Sequence, residues 1–212
     1  MAPRRYRIDG RRKAMEETRR RIIEAAAALH AEQGVLATTY AQIAARADVA
    51  APTVYKYFPD LTALLSACTG HVGALSPALG PEIFAPASGI EPRIRALVAA
   101  VFALHRFQAP WMRHGHDAAG LPVLSEVLAQ GRARLRSLIV IALAPRYGEA
   151  PPRALVALFE TLLDFASWQR LDETLPQATL ETVTGDALLA LAKAEMKKTA
   201  PQRSLKDRRQ RS

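Results

Sequence analysis

Apolar residues recur at helical spacing along most of the chain. Ile22, Ile23 and Leu29 fall on one face of a predicted helix over residues 16–33, and Gly34 is placed to end it. No alternating run of β-branched residues bounded by turn signals is found in the sequence. The pattern predicts an all-α protein.

Three shorter helices follow the first one. Thr38 or Thr39 is placed to cap the second helix, and residues 48–49 form a short turn. The third and fourth helices are predicted over residues 51–58 and 61–72, with a break between them.

A stretch rich in glycine and proline, residues 73–90, resembles a linker. Beyond it the faces are again apolar at helical spacing. Long helices are predicted near residues 91–107, 121–144, 152–171 and 177–198, with a shorter piece over 110–119.

Charge is concentrated at the two ends of the chain. The net charge of +9 divides into +4 for residues 1–70, −1 for residues 71–192 and +6 for residues 193–212. Basic ends on a neutral body indicate a polyanionic partner. Residues 1–15 and 200–212, which are basic and poor in apolar side chains, are expected to be disordered.

The segment Thr39–Phe58 has the pattern of two helices around a turn, a helix-turn-helix whose second helix can enter a DNA major groove. Val54 and Phe58 are expected to pack inward. Pro52 is suited to contact a thymine methyl group, and Thr53 to bond a phosphate or a base edge. The predicted DNA-contacting residues are Thr39, Ala51, Pro52, Thr53, Tyr55, Lys56 and Tyr57, with Arg4, Arg5 and Arg7 from the basic arm.

Within this part of the sequence the chain resembles the tetracycline-repressor (TetR) family. The resemblance is carried by Ile23, Ala26, Gly34, Thr39, Ile43, Ala44, Ala47, Val49, the run Thr53–Phe58, Leu64 and Leu65. It implies a three-helix DNA-binding head, a helical body that binds a small ligand, and a homodimer formed by the last two body helices. It also implies repression as the usual activity.

Three positions depart from the family pattern. Asp48 replaces the turn glycine, Ala50 replaces the serine that commonly caps the recognition helix, and Leu61 replaces a lysine at the start of the fourth helix. A side-chain cap contributes about 1 kcal/mol. These changes weaken the expected DNA affinity, and the basic arm is expected to compensate through phosphate contacts.

The predicted organisation is a disordered basic arm over residues 1–15 and a helix-turn-helix domain over 16–60. An effector-binding and dimerisation body follows over 61–199, and a disordered basic tail over 200–212.

The effector site is expected among aromatic and polar residues of the body, because ligand pockets are mostly apolar with a few polar groups. The candidate residues are Phe102, His105, Arg106, Trp111, His114, Phe165 and Trp168. The alternative is that each of these side chains is ordinary core or interface.

Two apolar stripes are expected to pair between subunits in a four-helix interface, which makes a homodimer. Their members are Leu155, Leu158, Phe159, Leu162, Leu180, Val183, Ala187, Leu188 and Leu191. The alternative is that one stripe is buried within its own subunit.

The sequence carries few signals of catalysis, metal binding, redox chemistry or membrane insertion. The sequence lacks a glycine-rich phosphate loop and the common hydrolase and metalloprotease motifs, so no enzymatic activity, cofactor or metal is expected. Cys68, the single cysteine, is expected to be a small core residue in a cytoplasmic protein. No apolar run is long enough for a membrane span, so no membrane partner is expected.

The predicted function is transcriptional regulation, as a repressor released from a palindromic operator on double-stranded DNA by an unidentified small-molecule effector. Two alternatives remain: a small-molecule-binding protein with a weakened DNA head, and a non-specific nucleic-acid-binding protein. A footprint upstream of the protein's own gene separates all three.

Overall fold

A computed structural model describes the backbone of residues 3–114 and 120–199 and the side chains of residues 10–114 and 120–194. Within these ranges the chain forms nine α-helices and a short 3-10 turn, Pro81–Phe84, without strands. The helices are α1 (Pro3–Gln33), α2 (Tyr40–Ala47), α3 (Ala51–Tyr57), α4 (Leu61–Leu75), α5 (Ile90–Met112), α6 (Pro122–Tyr147), α7 (Arg153–Leu162), α8 (Phe165–Asp172) and α9 (Gln177–Thr199). The all-α prediction is confirmed.

Helix α1 begins well before the position expected from the sequence. The prediction of a disordered arm over residues 1–15 is wrong from Pro3 onward, because the helix is continuous from Pro3 to Gln33. Once the apolar half has nucleated a helix, each added residue contributes one more backbone hydrogen bond. Arginine, lysine, methionine and glutamate, which fill most of residues 11–17, also favour helix. The predicted tail, residues 200–212, lies outside the described part of the chain.

The chain divides into two compact units, and the first contains residues 1–78 and 103–133. Its main core joins α1, α2, α3 and α4. The buried members are Ile22, Ile23, Ala25, Ala26, Leu29, Ile43, Ala44, Ala47, Val54, Phe58, Leu64 and Cys68. Most of them are the apolar positions that predicted these helices, so the periodicity correctly identified the inward faces.

Helix α1 ends at Gly34, as predicted. Gly34 adopts φ +85, and its backbone N–H donates to the carbonyl of His30 at 3.1 Å. A Cβ atom at this position would lie 3.2 Å from the Cβ of His114. Both the left-handed backbone and the close approach of His114 therefore favour glycine here.

The second unit contains residues 79–102 and 134–212. Its buried residues lie mostly on α5 to α9 and include Leu97, Phe102, Ile139, Phe159 and Trp168. Long polar side chains join the helices: Arg93 donates to the carbonyl of Ile141 at 3.0 Å, and Tyr147 donates to that of Ala192 at 2.7 Å.

The helix predicted over residues 152–171 is wrong as a single element. Leu163 leaves helical geometry, and the side chain of Asp164 caps α8 by accepting from the backbone N–H of Ser167. Aspartate competes with the helical backbone in this way and favours a new N-terminus. Helix α5 also differs from the prediction, because it continues to Met112 and so includes the start of the separate piece predicted over 110–119. Residues 115–119 of that piece lie outside the described part.

None of the helices in the described ranges is both long and apolar enough to cross a membrane.

Candidate nucleic-acid interface

Helix α2 begins with a complete capping box. The hydroxyl of Thr39 accepts from the backbone N–H of Gln42 at 3.3 Å, and the Gln42 side chain accepts from the Thr39 N–H at 2.8 Å. Of the two candidate caps, the structure assigns this one to Thr39. The residue is exposed, so its backbone position is fixed while one side remains open to a partner.

The turn between α2 and α3 contains Asp48 in left-handed geometry, with φ 52 and ψ 56. This is the conformation for which a glycine is normally used, and aspartate tolerates it better than most residues. The backbone N–H of Val49 donates to the Ala44 carbonyl at 3.0 Å and closes the end of α2. The Asp48 carboxylate is almost fully exposed and lies 4.0 Å from the Arg21 guanidinium, so this pair is weak and leaves a negative charge on the surface of the turn.

Helix α3 presents opposite faces to the core and to solvent. Val54 is fully buried and Phe58, which follows the helix, is 2% exposed, so the inward pair predicted from their spacing is confirmed. Ala50 precedes the helix without a side-chain cap, and proline lies in the first turn. The exposed side chains of α3 are Ala51, Pro52, Tyr55 and Lys56, with Thr53 and Tyr57 half-buried.

The two tyrosines of α3 have different environments. Tyr55, predicted to contact DNA, is 57% exposed, and the centre of its ring lies 4.6 Å from the centre of the Tyr40 ring. Tyr57, expected to face outward, packs partly against the buried cluster of the head. Tyr40 therefore helps to position an exposed aromatic side chain on the recognition helix, a role that the sequence reasoning missed.

Helix α1 contributes a basic side chain to this face. The Arg19 guanidinium lies 5.3 Å from the centre of the Phe58 ring, a cation–π arrangement. Sequence reasoning did not single out Arg19. Its position three residues before the buried Ile22, at the edge of the apolar stripe of α1, was the available signal. The side chains of Arg4, Arg5 and Arg7 lie outside the described part, although their backbone belongs to α1.

Helix α4 is anchored at its start and along one face. The side chain of Asp60 accepts from the backbone N–H of Ala63 at 2.8 Å. Leu64 and Cys68 are buried in the head core, and the Cys68 thiol donates to the Ile23 carbonyl at 3.8 Å. Burial raises the pKa of Cys68 to about 12. The prediction of a core cysteine is confirmed.

The predicted effector residues are divided between the two units. His105, Arg106, Trp111 and His114 belong to the first unit, and Phe102, Phe165 and Trp168 belong to the second. In the second unit the rings of Phe165 and Trp168 lie 5.3 Å apart. In the first, the Trp111 indole N–H donates to the Ala27 carbonyl at 2.8 Å.

Part of the two apolar stripes predicted to form the dimer interface is buried in the core of the second unit. Leu155, Phe159, Leu180 and Leu188 are fully buried within the chain, so they offer no surface to a partner. The members that remain accessible are Leu158 (44% exposed), Val183 (49% exposed) and Ala187, with Leu162 and Leu191 half-buried.

No three His, Cys, Asp or Glu side chains of the described residues come together in a way that could hold a metal ion.

Comparison with known proteins places the site in a family. Residues 22–68, which span the head from the middle of α1 to α4, match the family of bacterial regulatory proteins known as the tetR family. No curated protein matches the chain in sequence.

Solved structures share the fold over most of the chain. A protein of Streptomyces coelicolor A3(2) described as a transcriptional regulator is 20% identical, with a TM-score of 0.60 over 83% of this chain and 98% of that one. The TetR-like regulator LfrR from Mycobacterium smegmatis, solved with proflavine, is 23% identical with a TM-score of 0.53, over 82% and 95% of the two chains. The multidrug-binding protein EbrR, solved with imidazole, is 24% identical with a TM-score of 0.50, over 82% and 93%.

The geometry of α2 and α3 agrees with these comparisons: residues 22–68 form a DNA-binding head of the tetR type, and the chain shares its helical fold with the three solved structures.

Proposed function

We propose that the protein is a homodimeric repressor that binds a palindromic operator through α3 and is released by a small molecule bound in its body. The observation that carries the proposal is the division of α3 into a buried and an exposed face. Val54 and Phe58 anchor the helix, while Pro52, Lys56 and Tyr55 stand open to a partner. A helix anchored in this way can enter the major groove with its contact residues already ordered.

The contacts are assigned by side-chain chemistry. Ala51, Pro52 and Thr53 lie at the start of α3 and are suited to base edges and thymine methyl groups. Lys56, Tyr55 and Tyr57 are suited to phosphate oxygens, as is the exposed Thr39 at the start of α2. The arginines at the beginning of α1, Arg4, Arg5 and Arg7, are assigned to the DNA backbone.

The dimer surface is assigned to the outer faces of α7 and α9, which contact each other within the second unit. Leu158 and Val183 are large apolar side chains that the chain itself leaves exposed. Small residues beside them, Ala157 and Ala187, allow close helix approach. A two-fold pair of these helices forms a four-helix interface.

Glutamate at positions 158 and 183 tests this surface. We expect Leu158→Glu/Val183→Glu to be monomeric by analytical ultracentrifugation and to bind the operator without cooperativity. The matched control is Val127→Glu on α6, an equally exposed valine (43%) outside the proposed interface, which should stay dimeric. A double variant that remains dimeric would reject the assignment.

The effector site is assigned to the body. LfrR and EbrR were both solved with flat, nitrogen-containing aromatic molecules, proflavine and imidazole. In the second unit the half-buried Phe165 lies against Trp168, which is buried like Phe102. The polar candidates His105, Arg106 and His114 lie in the first unit with Trp111. The proposed effector acts by binding the DNA-competent and released dimer shapes with different affinity.

Helix α4 is proposed as the element that transmits this difference. Its capped start adjoins the recognition helix and its buried face contacts α1, so a shift of α4 changes the spacing of the two recognition helices. Two-fold related heads read half-sites about 34–36 Å apart.

A footprint on DNA upstream of the protein's own gene tests the proposed function. A protected palindrome that disappears on addition of a ligand identified by native mass spectrometry is the expected result. Uniform protection would support a non-specific nucleic-acid-binding protein. Absence of protection would support a ligand-binding protein with an inactive head.

A further inference from the structure

An open groove lies on the surface of the first unit where α1 passes the end of α3. The volume of this groove is about 480 Å³. The side chains that line it are Arg11, Arg12, Met15, Glu16, Arg19 and Tyr57.

The groove carries a net positive charge. Arg12 lies 3.8 Å from Glu16, but both side chains are more than two-thirds exposed, so this pair is weak. Within the described part of the chain, Arg11 and Arg19 have no carboxylate within salt-bridge distance. The lining therefore contains three guanidinium groups and one carboxylate.

The next arginine on α1 has a different environment. Arg20 is bonded to Glu17 at 2.5 Å and to Glu24 at 2.6 Å, so its charge is neutralised along the helix. The chain thus places paired and unpaired arginines side by side on α1, and the unpaired Arg11 and Arg19 line the groove. This contrast supplies a matched control.

Two observations place the groove beside the recognition helix. The Arg19 guanidinium covers the ring of Phe58, the buried residue that ends α3. Tyr57 forms the other wall and is the direct neighbour of the exposed Lys56. The groove therefore continues the surface proposed to face DNA, and Arg19 is held before any ligand arrives.

We propose that this groove binds a backbone phosphate of the DNA duplex next to the segment that α3 reads. Guanidinium groups match phosphate oxygens in geometry and charge. The apolar lining from Met15 and Tyr57 suits the adjoining deoxyribose. The groove adds affinity without reading sequence, and it offsets part of the weakening expected from Asp48 and Leu61. The inference rests on the proposed docking of α3 into the major groove.

Salt dependence of DNA binding tests the groove. The probe is a duplex selected by the full chain from a random pool, compared with a scrambled duplex, over about 50–200 mM salt. For Arg11→Gln/Arg19→Gln, we expect the log–log salt slope to become shallower on both duplexes, by about 0.9 for each phosphate that the variant can no longer neutralise. Arg20→Gln removes the same charge from the same helix and should leave the slope unchanged.

A second pair of variants separates binding from folding. Arg11→Gln alone leaves the Arg19–Phe58 contact intact, so a shallower slope with an unchanged melting temperature is expected. Glu16→Gln removes the one carboxylate among the lining residues and should tighten binding about two- to fivefold, the range of exposed charge interactions.

Two results would overturn the proposal: unchanged slopes in the Arg11 and Arg19 variants, or an equal change in Arg20→Gln, which would show that only the general field of α1 matters. If the wild-type protein did not distinguish selected from scrambled DNA, the proposed operator function would fail. The salt slopes of the variants would still show whether the groove binds a phosphate, because phosphate contacts do not depend on the DNA sequence.

Discussion

The indole N–H of Trp111 donates a 2.8 Å hydrogen bond to the backbone carbonyl of Ala27, 84 residues earlier in the chain. Close by, Gly34 makes room for His114. The end of α5 is thereby attached to the C-terminal half of α1 within the first unit. Helix α1 is thus held on one side by α4 and on another by the end of α5.

Replacing the indole should loosen this attachment. We expect Trp111→Phe to lower the free energy of unfolding by about 0.5–1.5 kcal/mol, the contribution of a typical hydrogen bond. Denaturant titration followed by circular dichroism measures it. The control is Phe107→Leu, which removes the ring 5.8 Å from Trp111 but leaves the bond to Ala27 in place. Protection of the Ala27–Ala31 region from hydrogen exchange should fall only in Trp111→Phe.

The left-handed turn residue offers a gain in stability. Asp48→Gly should raise the free energy of unfolding by up to about 1 kcal/mol, because glycine adopts φ 52 without steric cost. Asp48→Ala should lower it, since alanine has neither the freedom of glycine nor the local bonding of aspartate. Asp48→Asn keeps the backbone tolerance and removes the charge, so tighter DNA binding at unchanged stability would isolate the electrostatic effect. Equal melting temperatures for the glycine and alanine variants would contradict this account.

Burial of His30 predicts acid sensitivity. Desolvation lowers the pKa of His30 from its ordinary 6.5 to about 4. Below pH 6.5 the unfolded chain binds a proton at this position and the folded chain does not, so stability falls as the pH drops from about 6.5 to 4. Above pH 6.5 this contribution is constant. His30→Gln should flatten the decline measured by thermal melting across that window, whereas His71→Gln, which leaves His30 in place, should retain it.

The thiol of Cys68 should be inert in the folded protein. Its pKa is raised to about 12 by burial, so almost no thiolate is present near neutral pH. A chromogenic disulfide reagent should react slowly with the native protein and rapidly in guanidinium chloride. Fast labelling under native conditions would show that α4 opens away from α1.

Much of the head could be predicted because its signals are local. The spacing of Ile22, Ile23, Ile43 and Val54 identifies the faces that are buried, and Thr39 is a recognisable cap. The relation between Tyr40 and Tyr55 was not accessible in this way. It depends on how two short helices cross, which residue spacing within either helix does not encode.

The body shows a different limit. An apolar stripe predicts that a helix face is covered but does not say by what. Phe159 and Leu188 are covered by their own chain, whereas Leu158 and Val183, on the same helices, are not. An aspartate within an apolar run does not show from sequence whether it caps a new helix. Asp164 does so, and it divides the segment that apolar periodicity predicted to be one helix.

The continuity of α1 makes it a lever. With a rise of about 1.5 Å per residue, the span from Pro3 to Gln33 is about 45 Å long. A tilt of about 5° applied at its anchored end displaces the far end by about 4 Å, more than the length of a hydrogen bond. A small tilt of α1 relative to α3 therefore displaces the start of α1 more than it displaces the recognition helix, and we expect the proposed phosphate contacts of Arg4, Arg5 and Arg7 to break before those of α3.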